Sequence, residues 1–442
     1  MSNLITFKKR IKKFDKKIFI PGDKSLSIRW ILFSSIANGV SKSKNLLLSD
    51  DVLAAIKTVR KLGIKVYLKK GNCKIYGNGI NGYKFRKNIV INAENSGTLG
   101  RLILGLLIDT PMPIKLIGDK SLSKRDFKRI SDPLSKFGAS FKLKNDKYLP
   151  LKIYGSNKLK PFKFFENKGS AQCKSAVIFG AMKANGKTYI KARKSRNHTE
   201  LLCKYLNLPI SIKNKKNYDL IEIEKINKIK TLNYDIPADI SSCAFFIILT
   251  VLSKNSSLII KNVNVNPTRI GVITILKKMG ANILFKNLKT YKGEKNADIF
   301  VKSTKKLRPI NCPKKLNTSA IDEFLLIFLA AAKAKGISYF KDLAELDQKE
   351  SPRLKWGTKI LKMMGVKTIR TKDSIKIFGN PDLKVNKSII IKNYSKDHRV
   401  FMTCAIAALS FEGKSVWKIY NKDSIKTSFP SFLRVIKDLE KK

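Results

Sequence analysis

Histidine is nearly absent. The chain has only His198 and His398 among 442 residues. Neither belongs to a His/Cys cluster, so no dedicated transition-metal site is expected. The six cysteines, Cys73, Cys173, Cys203, Cys243, Cys312 and Cys404, are scattered, and none forms a CxxC pair. Several lie inside apolar helical patterns. They read as reduced, mostly buried thiols rather than a disulfide frame or a zinc site. Acidic residues are also scarce: 32 Asp and Glu stand against 91 Lys and Arg, a net charge of +59. Such an excess can serve nucleic acid, a membrane surface or the steering of acidic substrates. Here lysine is spread along the whole chain, often on the polar faces of apparent helices, and Asn and Ile are abundant beside it. An A/T-rich coding bias would produce that pattern. No RGG run, zinc finger or aromatic-interleaved basic tract occurs, so nucleic acid is not an expected partner. Long hydrophobic runs are missing as well. The longest, around Cys243–Leu252 and Phe324–Ala332, are about half the ~18 residues of a membrane span. The N-terminal stretch MSNLITFKKRIKKFDKK has no apolar core of a secretory signal. No membrane association is expected, and a cytoplasmic location is the default.

What is present is a repeat. A chain of this length exceeds one hydrophobic core, which makes two domains the prior. Its organising stretch is Pro21–Gly39, PGDKSLSIRWILFSSIANG. A turn is followed by Lys24, Ser25, Ser27 and Arg29 on the first turns of a helix that becomes apolar from Trp30 and stops at Asn38-Gly39. A helix start offers unpaired N–H groups and about half a positive charge. With Lys24, two hydroxyls and Arg29 added, it reads as a phosphate or carboxylate site. Five more helices have the same form, a small polar start and an apolar body. They open at Asn95–Thr98, Gly169–Gln172, Asp239–Ser242, Ser319–Glu323 and Ser395–Arg399. The starts lie about 70 to 80 residues apart, longer than solenoid repeats. Uniformly apolar helices belong inside a domain.

Amphipathic helices interleave with them, in SDDVLAAIKTVRKLG, KRDFKRISDPLSKFG, NHTELLCKYLN, NPTRIGVITILKKMG, KESPRLKWGTKILKMMG and KTSFPSFLRVIKDLEKK. Ile/Val/Phe-rich strands fill the gaps. The expected fold is therefore mixed α/β, of the α+β kind. Three repeats fill 21–235 and three fill 236–442, the latter joined by residues 1–20. If the buried helices run parallel within each domain, several N-termini emerge on one face and favour a multiply anionic ligand pair.

Eleven motifs in order carry a resemblance. They are PGDKSLSIR at 21–29, NSGTLGR at 95–101, GDKSLSKR at 118–125, GSAQCKSA at 169–176, SRNHTE at 195–200 and PADISSCAFF at 237–246. The second half adds NPTRIGVITILKKMGA at 266–281, IDE at 321–323, KESPR at 349–353, DHRVFM at 397–402 and TSFP at 427–430. Over nearly its whole length the sequence resembles the EPSP synthase family (3-phosphoshikimate 1-carboxyvinyltransferases). The resemblance implies the enolpyruvyl-transferase fold: two domains of three βαβαββ-type repeats with buried parallel helices and an active site in the interdomain cleft. It implies transfer of the enolpyruvyl group of phosphoenolpyruvate to the 5-hydroxyl of shikimate 3-phosphate, with release of phosphate and no cofactor or metal. A monomer is expected.

By motif, Lys24, Ser25 and Arg29 are implied to hold shikimate 3-phosphate, with Lys24 also reaching phosphoenolpyruvate and acting in catalysis. Ser170, Gln172 and Ser195 fall on further shikimate-phosphate contacts, and Gln172 also on phosphoenolpyruvate. Gly97 admits phosphoenolpyruvate to the backbone, and Arg125, Arg353 and Arg399 clamp its phosphate and carboxylate, a task suited to the planar guanidinium fork. Asp322 matches the base on the 5-hydroxyl and contacts shikimate 3-phosphate. Glu350 is the proton donor and acceptor at the methylene carbon, and Lys349 supports the shikimate-phosphate site. His398 reads as a structural hydrogen-bonding residue.

Three departures from the family pattern stand out: Asp126 after Arg125, Asp347 where an arginine is usual, and Pro352 before Arg353. Asp126 places a negative charge beside a clamp arginine. Asp347 removes a supporting ion pair. Pro352 suits a first helical turn. Lys426 is offset by about one residue from a lysine that binds phosphoenolpyruvate in some members. Leu102, the SAQxKSA pattern and SRNHTE resemble the glyphosate-tolerant subgroup. Two other readings remain. The UDP-N-acetylglucosamine enolpyruvyl transferases carry a reactive cysteine where this chain has Lys120. A non-catalytic, anion- or nucleic-acid-binding relative would be expected to lose Lys24, Asp322 or Glu350, and all three are kept.

Overall fold

The structure is a computed structural model that describes residues 3–441. Its chain falls into two compact units. One comprises Gly22–Ile236 with the short segment Thr290–Glu294. The other comprises the described residues up to Pro21, Pro237–Lys289 and those from Lys295 onward.

In the Gly22–Ile236 unit the apolar pattern becomes three buried helices, Lys24–Ser35, Gly97–Leu106 and Ala171–Ala181. Every residue from Leu26 to Ser35 is buried, which is what an all-round apolar helix requires. The buried indole of Trp30 donates to the carbonyl of Leu232 at 2.8 Å. The first helix is shorter than the sequence suggests. It ends at Ser35, and Asn38-Gly39 already begin the strand Asn38–Lys44. Three four-stranded sheets cover the helices. In each, a parallel pair is followed by an antiparallel hairpin. The second repeat shows the plan: Val90–Asn92 pairs in parallel with Ile114–Ile117, which pairs antiparallel with Tyr148–Tyr154 and so to Ser140–Lys144. The first repeat borrows its leading strand from the unit's far end, where Tyr234–Asp235 pairs in parallel with Ser43–Lys44.

The other unit repeats the plan around Ile240–Leu252, Phe324–Ala332 and His398–Ser410. Its last sheet is completed by Leu4–Phe7, antiparallel to Val416–Tyr420. Each unit has its own hydrophobic core.

Five of the six buried helices start on a side-chain cap. Asp23 accepts from the Leu26 N–H at 2.8 Å and Ser96 from Leu99 at 3.3 Å. Ser170 accepts from Cys173 at 3.3 Å, Asp239 from Ser241 at 2.8 Å and Asp397 from Arg399 at 2.9 Å. The exception departs from the expected start at Ser319–Glu323. Asn317–Ala320 forms a separate short helix, and Phe324–Ala332 begins after a turn. The short helix is packed tightly: a Cβ on Gly271 would collide with Ser319 and Ala320, so its last residues are pressed against helix Gly271–Lys278. Asp322 and Glu323 sit in the turn ahead of the helix.

The amphipathic helices lie at Asp50–Lys61, Lys128–Ser135, His198–Tyr205, Gly271–Lys278, Arg353–Met363 and Phe432–Glu440. All six cysteines are free and buried, and burial pushes the Cys73 thiol up to about 12. Among the described residues no helix is long and apolar enough to cross a membrane.

Candidate active site

Each unit gathers its distinctive residues at helix starts and in the segments that lead into them. In the Gly22–Ile236 unit Lys24 opens the first helix, and its ammonium stands 2.8 Å from a carboxylate oxygen of Asp51. Asp51 lies in the first turn of Asp50–Lys61. Nothing in its own stretch of sequence singles Asp51 out. Five residues beyond Lys24, Arg29 is buried, 3% exposed. Its Nε donates to Thr199 Oγ1 at 2.8 Å, one terminal nitrogen to Ser175 Oγ at 3.2 Å, and the other to the Ser25 carbonyl at 3.1 Å.

The motifs at 95–101 and 118–125 converge. Arg125 donates to Asn95 Oδ1 at 2.9 Å and to Ser121 Oγ at 3.4 Å. The Asn95 amide donates in turn to Asp119 Oδ2 at 2.6 Å. Gly97 sits between cations: a Cβ there would lie 3.2 Å from Arg125 and 3.5 Å from Arg101. Glycine at this position lets two guanidinium groups close on a helix start. Gln172 bridges the second and third helices, accepting from Arg101 and donating to Thr98 Oγ1 at 3.0 Å. Arg101 was visible in the sequence as part of NSGTLGR, but this contact was not. Ser170 caps the third helix. Ser195 is 5% exposed, and its Oγ has no hydrogen-bond partner among the described residues. Asp126 accepts from the Arg129 N–H at 3.2 Å, so its charge is turned to the start of Lys128–Ser135.

In the other unit the cluster centres on Arg353, 2% exposed. Three carboxylates surround it. Asp397 accepts from Nε at 2.9 Å, Asp322 accepts at 3.3 Å, and Glu350 accepts from the remaining terminal nitrogen. Burial opposes the guanidinium charge, but Asp397, Glu350 and Asp322 outweigh it and hold the proton more tightly than usual. Burial likewise opposes the Asp397 carboxylate, and Arg353 outweighs that, leaving the carboxyl below its ordinary range. Ser351 also donates to Asp397 at 2.9 Å. Lys349 stands 3.6 Å from Asp322. Arg399 donates to the Asp322 carbonyl at 2.8 Å and stands 3.5 Å from Glu323. Asp322, Lys349, Glu350, Arg353 and Arg399 thus form one cluster, and its pivot, Asp397, was seen in the sequence only as part of DHR.

The departures find local roles. Asp347 accepts from the backbone N–H of Leu354 at 2.8 Å and of Lys355 at 3.4 Å, capping Arg353–Met363. Pro352 occupies the N-cap position, one residue before the first turn. His398 is 5% exposed and its Nδ1 lies 3.3 Å from Thr427 Oγ1, joining DHR to TSFP. Lys426 is 61% exposed and pairs with Asp423 at 3.0 Å.

Both units repeat one plan of buried helices covered by sheets, and basic and acidic side chains collect near several of the helix starts. The fold is that of the enolpyruvyl transferases. NikO from Streptomyces tendae matches with a TM-score of 0.76 at 12% identity, covering 99% of this chain and 98% of that one. An EPSP synthase structure from Acinetobacter baumannii matches with a TM-score of 0.86 at 32% identity, over 99% and 98% of the two chains. The family model for EPSP synthase (3-phosphoshikimate 1-carboxyvinyltransferase) matches residues 8–436. The 3-phosphoshikimate 1-carboxyvinyltransferase of Caldicellulosiruptor bescii is 38% identical over 98% of each chain. That of Ruthia magnifica is 39% identical over 94% of this chain and 93% of its own. The chain belongs to the EPSP synthase family.

Proposed function

We propose that this enzyme transfers the enolpyruvyl group of phosphoenolpyruvate to the 5-hydroxyl of shikimate 3-phosphate, releasing phosphate and serving chorismate and aromatic amino acid synthesis in the cytoplasm. The reaction passes through a tetrahedral ketal. It needs a base at the hydroxyl, an acid at the methylene carbon and cations for two phosphates and a carboxylate. The observation that carries the reading is the Arg353 cluster, where two acid–base candidates, Asp322 and Glu350, share one buried guanidinium.

In this reading Asp322 takes the 5-hydroxyl proton, with the Lys349 ammonium favouring its anionic form. Glu350 delivers a proton to the methylene carbon and recovers one as the ketal collapses. Arg353, Arg399 and Arg125 hold the anionic groups of phosphoenolpyruvate. An anion arriving at Arg353 competes with Glu350 for the same nitrogen and so frees the carboxyl to act. Lys24, Ser25, Arg29, Ser170, Gln172 and Ser195 hold shikimate 3-phosphate. Lys24 and Gln172 also reach phosphoenolpyruvate, and Gly97 leaves room for it. Support comes from the position of Lys24, Ser25, Gly97, Ser170, Gln172, Arg353 and Arg399 at helix starts, where backbone N–H groups add to the side-chain polarity.

Product analysis by mass spectrometry, with shikimate 3-phosphate and UDP-N-acetylglucosamine offered together with phosphoenolpyruvate, tests the acceptor. Enolpyruvyl mass should appear only on shikimate 3-phosphate; modification of the nucleotide sugar would overturn the assignment. We also propose membership of the glyphosate-tolerant subgroup, on the strength of Leu102, the SAQxKSA pattern and SRNHTE. Inhibition at concentrations that stop sensitive members would refute it. Action as a monomer is checked by light scattering, where a dimer mass would refute it.

A further inference from the structure

The turn that opens helix His198–Tyr205 has three consecutive buried polar residues, and each grips a different partner. His198 Nδ1 lies 2.6 Å from Glu294 Oε1, with both side chains fully buried. Thr199 Oγ1 receives the Arg29 Nε–H at 2.8 Å and shares a 2.7 Å hydrogen bond with Ser175 Oγ. Glu200 Oε1 stands 2.6 Å from Lys174 Nζ, again with both side chains buried. The pairs 174–200 and 175–199 are adjacent rungs between helices Ala171–Ala181 and His198–Tyr205. The three side chains that meet there are buried: Ser175 and Thr199 are 0% exposed and Arg29 3%.

A hydroxyl pair at 0% exposure costs free energy unless its hydrogen bonds are made. Here the pair fixes one edge of a guanidinium. The Ser25 carbonyl fixes another nitrogen, so Arg29 is held on two sides by groups of definite direction. A side chain with this many rotatable bonds gains orientation only from such partners. We infer that Thr199 and Ser175 are positioning residues for Arg29, setting the angle at which it meets shikimate 3-phosphate. Neither touches the reacting atoms. The Lys174–Glu200 ion pair and the His198–Glu294 hydrogen bond, one on either side, keep the hydroxyls in register. The inference rests on the proposed role of Arg29 as a shikimate 3-phosphate ligand.

The test is the Thr199→Val variant, nearly isosteric but without the acceptor, alongside Thr199→Ser, Ser175→Ala and Arg29→Ala. Loss of a hydrogen bond to a charged group predicts at least about a tenfold rise in KM and Kd for shikimate 3-phosphate in Thr199→Val. The KM for phosphoenolpyruvate should hold, kcat should change less than KM, and Thr199→Ser should restore binding. If Thr199→Val proves too unstable, Ser175→Ala should show the same selective rise. Unchanged shikimate 3-phosphate affinity in Thr199→Val or Ser175→Ala, with Arg29→Ala impaired, overturns the positioning role alone. Unchanged affinity in Arg29→Ala overturns the ligand role and the inference with it.

Discussion

Replacing Asp397 by asparagine isolates the charge at the centre of the Arg353 cluster. Asparagine is as good an N-cap as aspartate, so the start of His398–Ser410 should survive. What disappears is the anion facing the Arg353 Nε at 2.9 Å, in a pair whose side chains are 2% and 0% exposed. Stripping one partner from a buried ion pair costs about 3–5 kcal/mol, chiefly because the other charge is left uncompensated. Glu350 and Asp322 still face Arg353, which points to the lower end, about 3 kcal/mol, or roughly two orders of magnitude in the unfolding equilibrium. The pH dependence has a definite sign. Arg353 holds the Asp397 carboxyl below its ordinary range. The stabilisation is therefore full above the unfolded-state value, near 3.9, and is lost as pH falls through the lower folded value. Urea unfolding followed by tryptophan fluorescence suits the measurement, because Trp356 and Trp417 lie in the same unit as Asp397. The stability gap between wild type and Asp397→Asn should be about 3 kcal/mol at pH 7 and should narrow below about pH 4. A gap under about 1 kcal/mol at pH 7, or one that widens in acid, would refute the reasoning.

Other substitutions probe the remaining contacts. Asp347→Ala should cost about 1 kcal/mol of stability through the lost cap on Arg353–Met363, visible as a lowered urea midpoint, while turnover per folded molecule stays near wild type. Gly97→Ala should raise the KM for phosphoenolpyruvate more than that for shikimate 3-phosphate, since the added methyl, 3.2 Å from Arg125, must push that guanidinium aside by a few tenths of an ångström; equal effects on both substrates would contradict this. Lys24→Met should lower turnover by at least about two orders of magnitude, and near-normal steady-state rates would remove Lys24 from the site. Asp322→Ala should reduce kcat far more than it raises either KM; unchanged kcat with weakened binding would make Asp322 a positioning residue instead.

How much of this was legible in the sequence depended on the range of the interaction. The bodies of the buried helices were, because helices apolar on every side have nowhere to lie but a core. Phe324–Ala332, buried at all nine positions, is the plainest case. The repeat followed from the spacing of the polar starts. The break after Asn317–Ala320 was not legible, since the short helix packs on Gly271, nearly fifty residues earlier in the chain. The counter-ions were missed for the same reason. Asp51 looks like any acidic helix start until Lys24 is placed beside it, and Asp397 looks like a cap until Arg353 arrives from 44 residues away. Asp126 and Asp347 were read as charges added or lost beside arginines. Both instead accept backbone N–H groups at helix starts, a role set by turn geometry that a motif comparison does not contain. The candidate residues were identifiable from their motifs, while the contacts that hold them in place were not.

Phosphate release tests the central claim most directly. Purified enzyme is mixed with shikimate 3-phosphate and phosphoenolpyruvate, and each is omitted in turn. Release should occur only when both are present, and should be lost in Lys24→Met. Release from phosphoenolpyruvate alone, or none with both substrates bound, would contradict it.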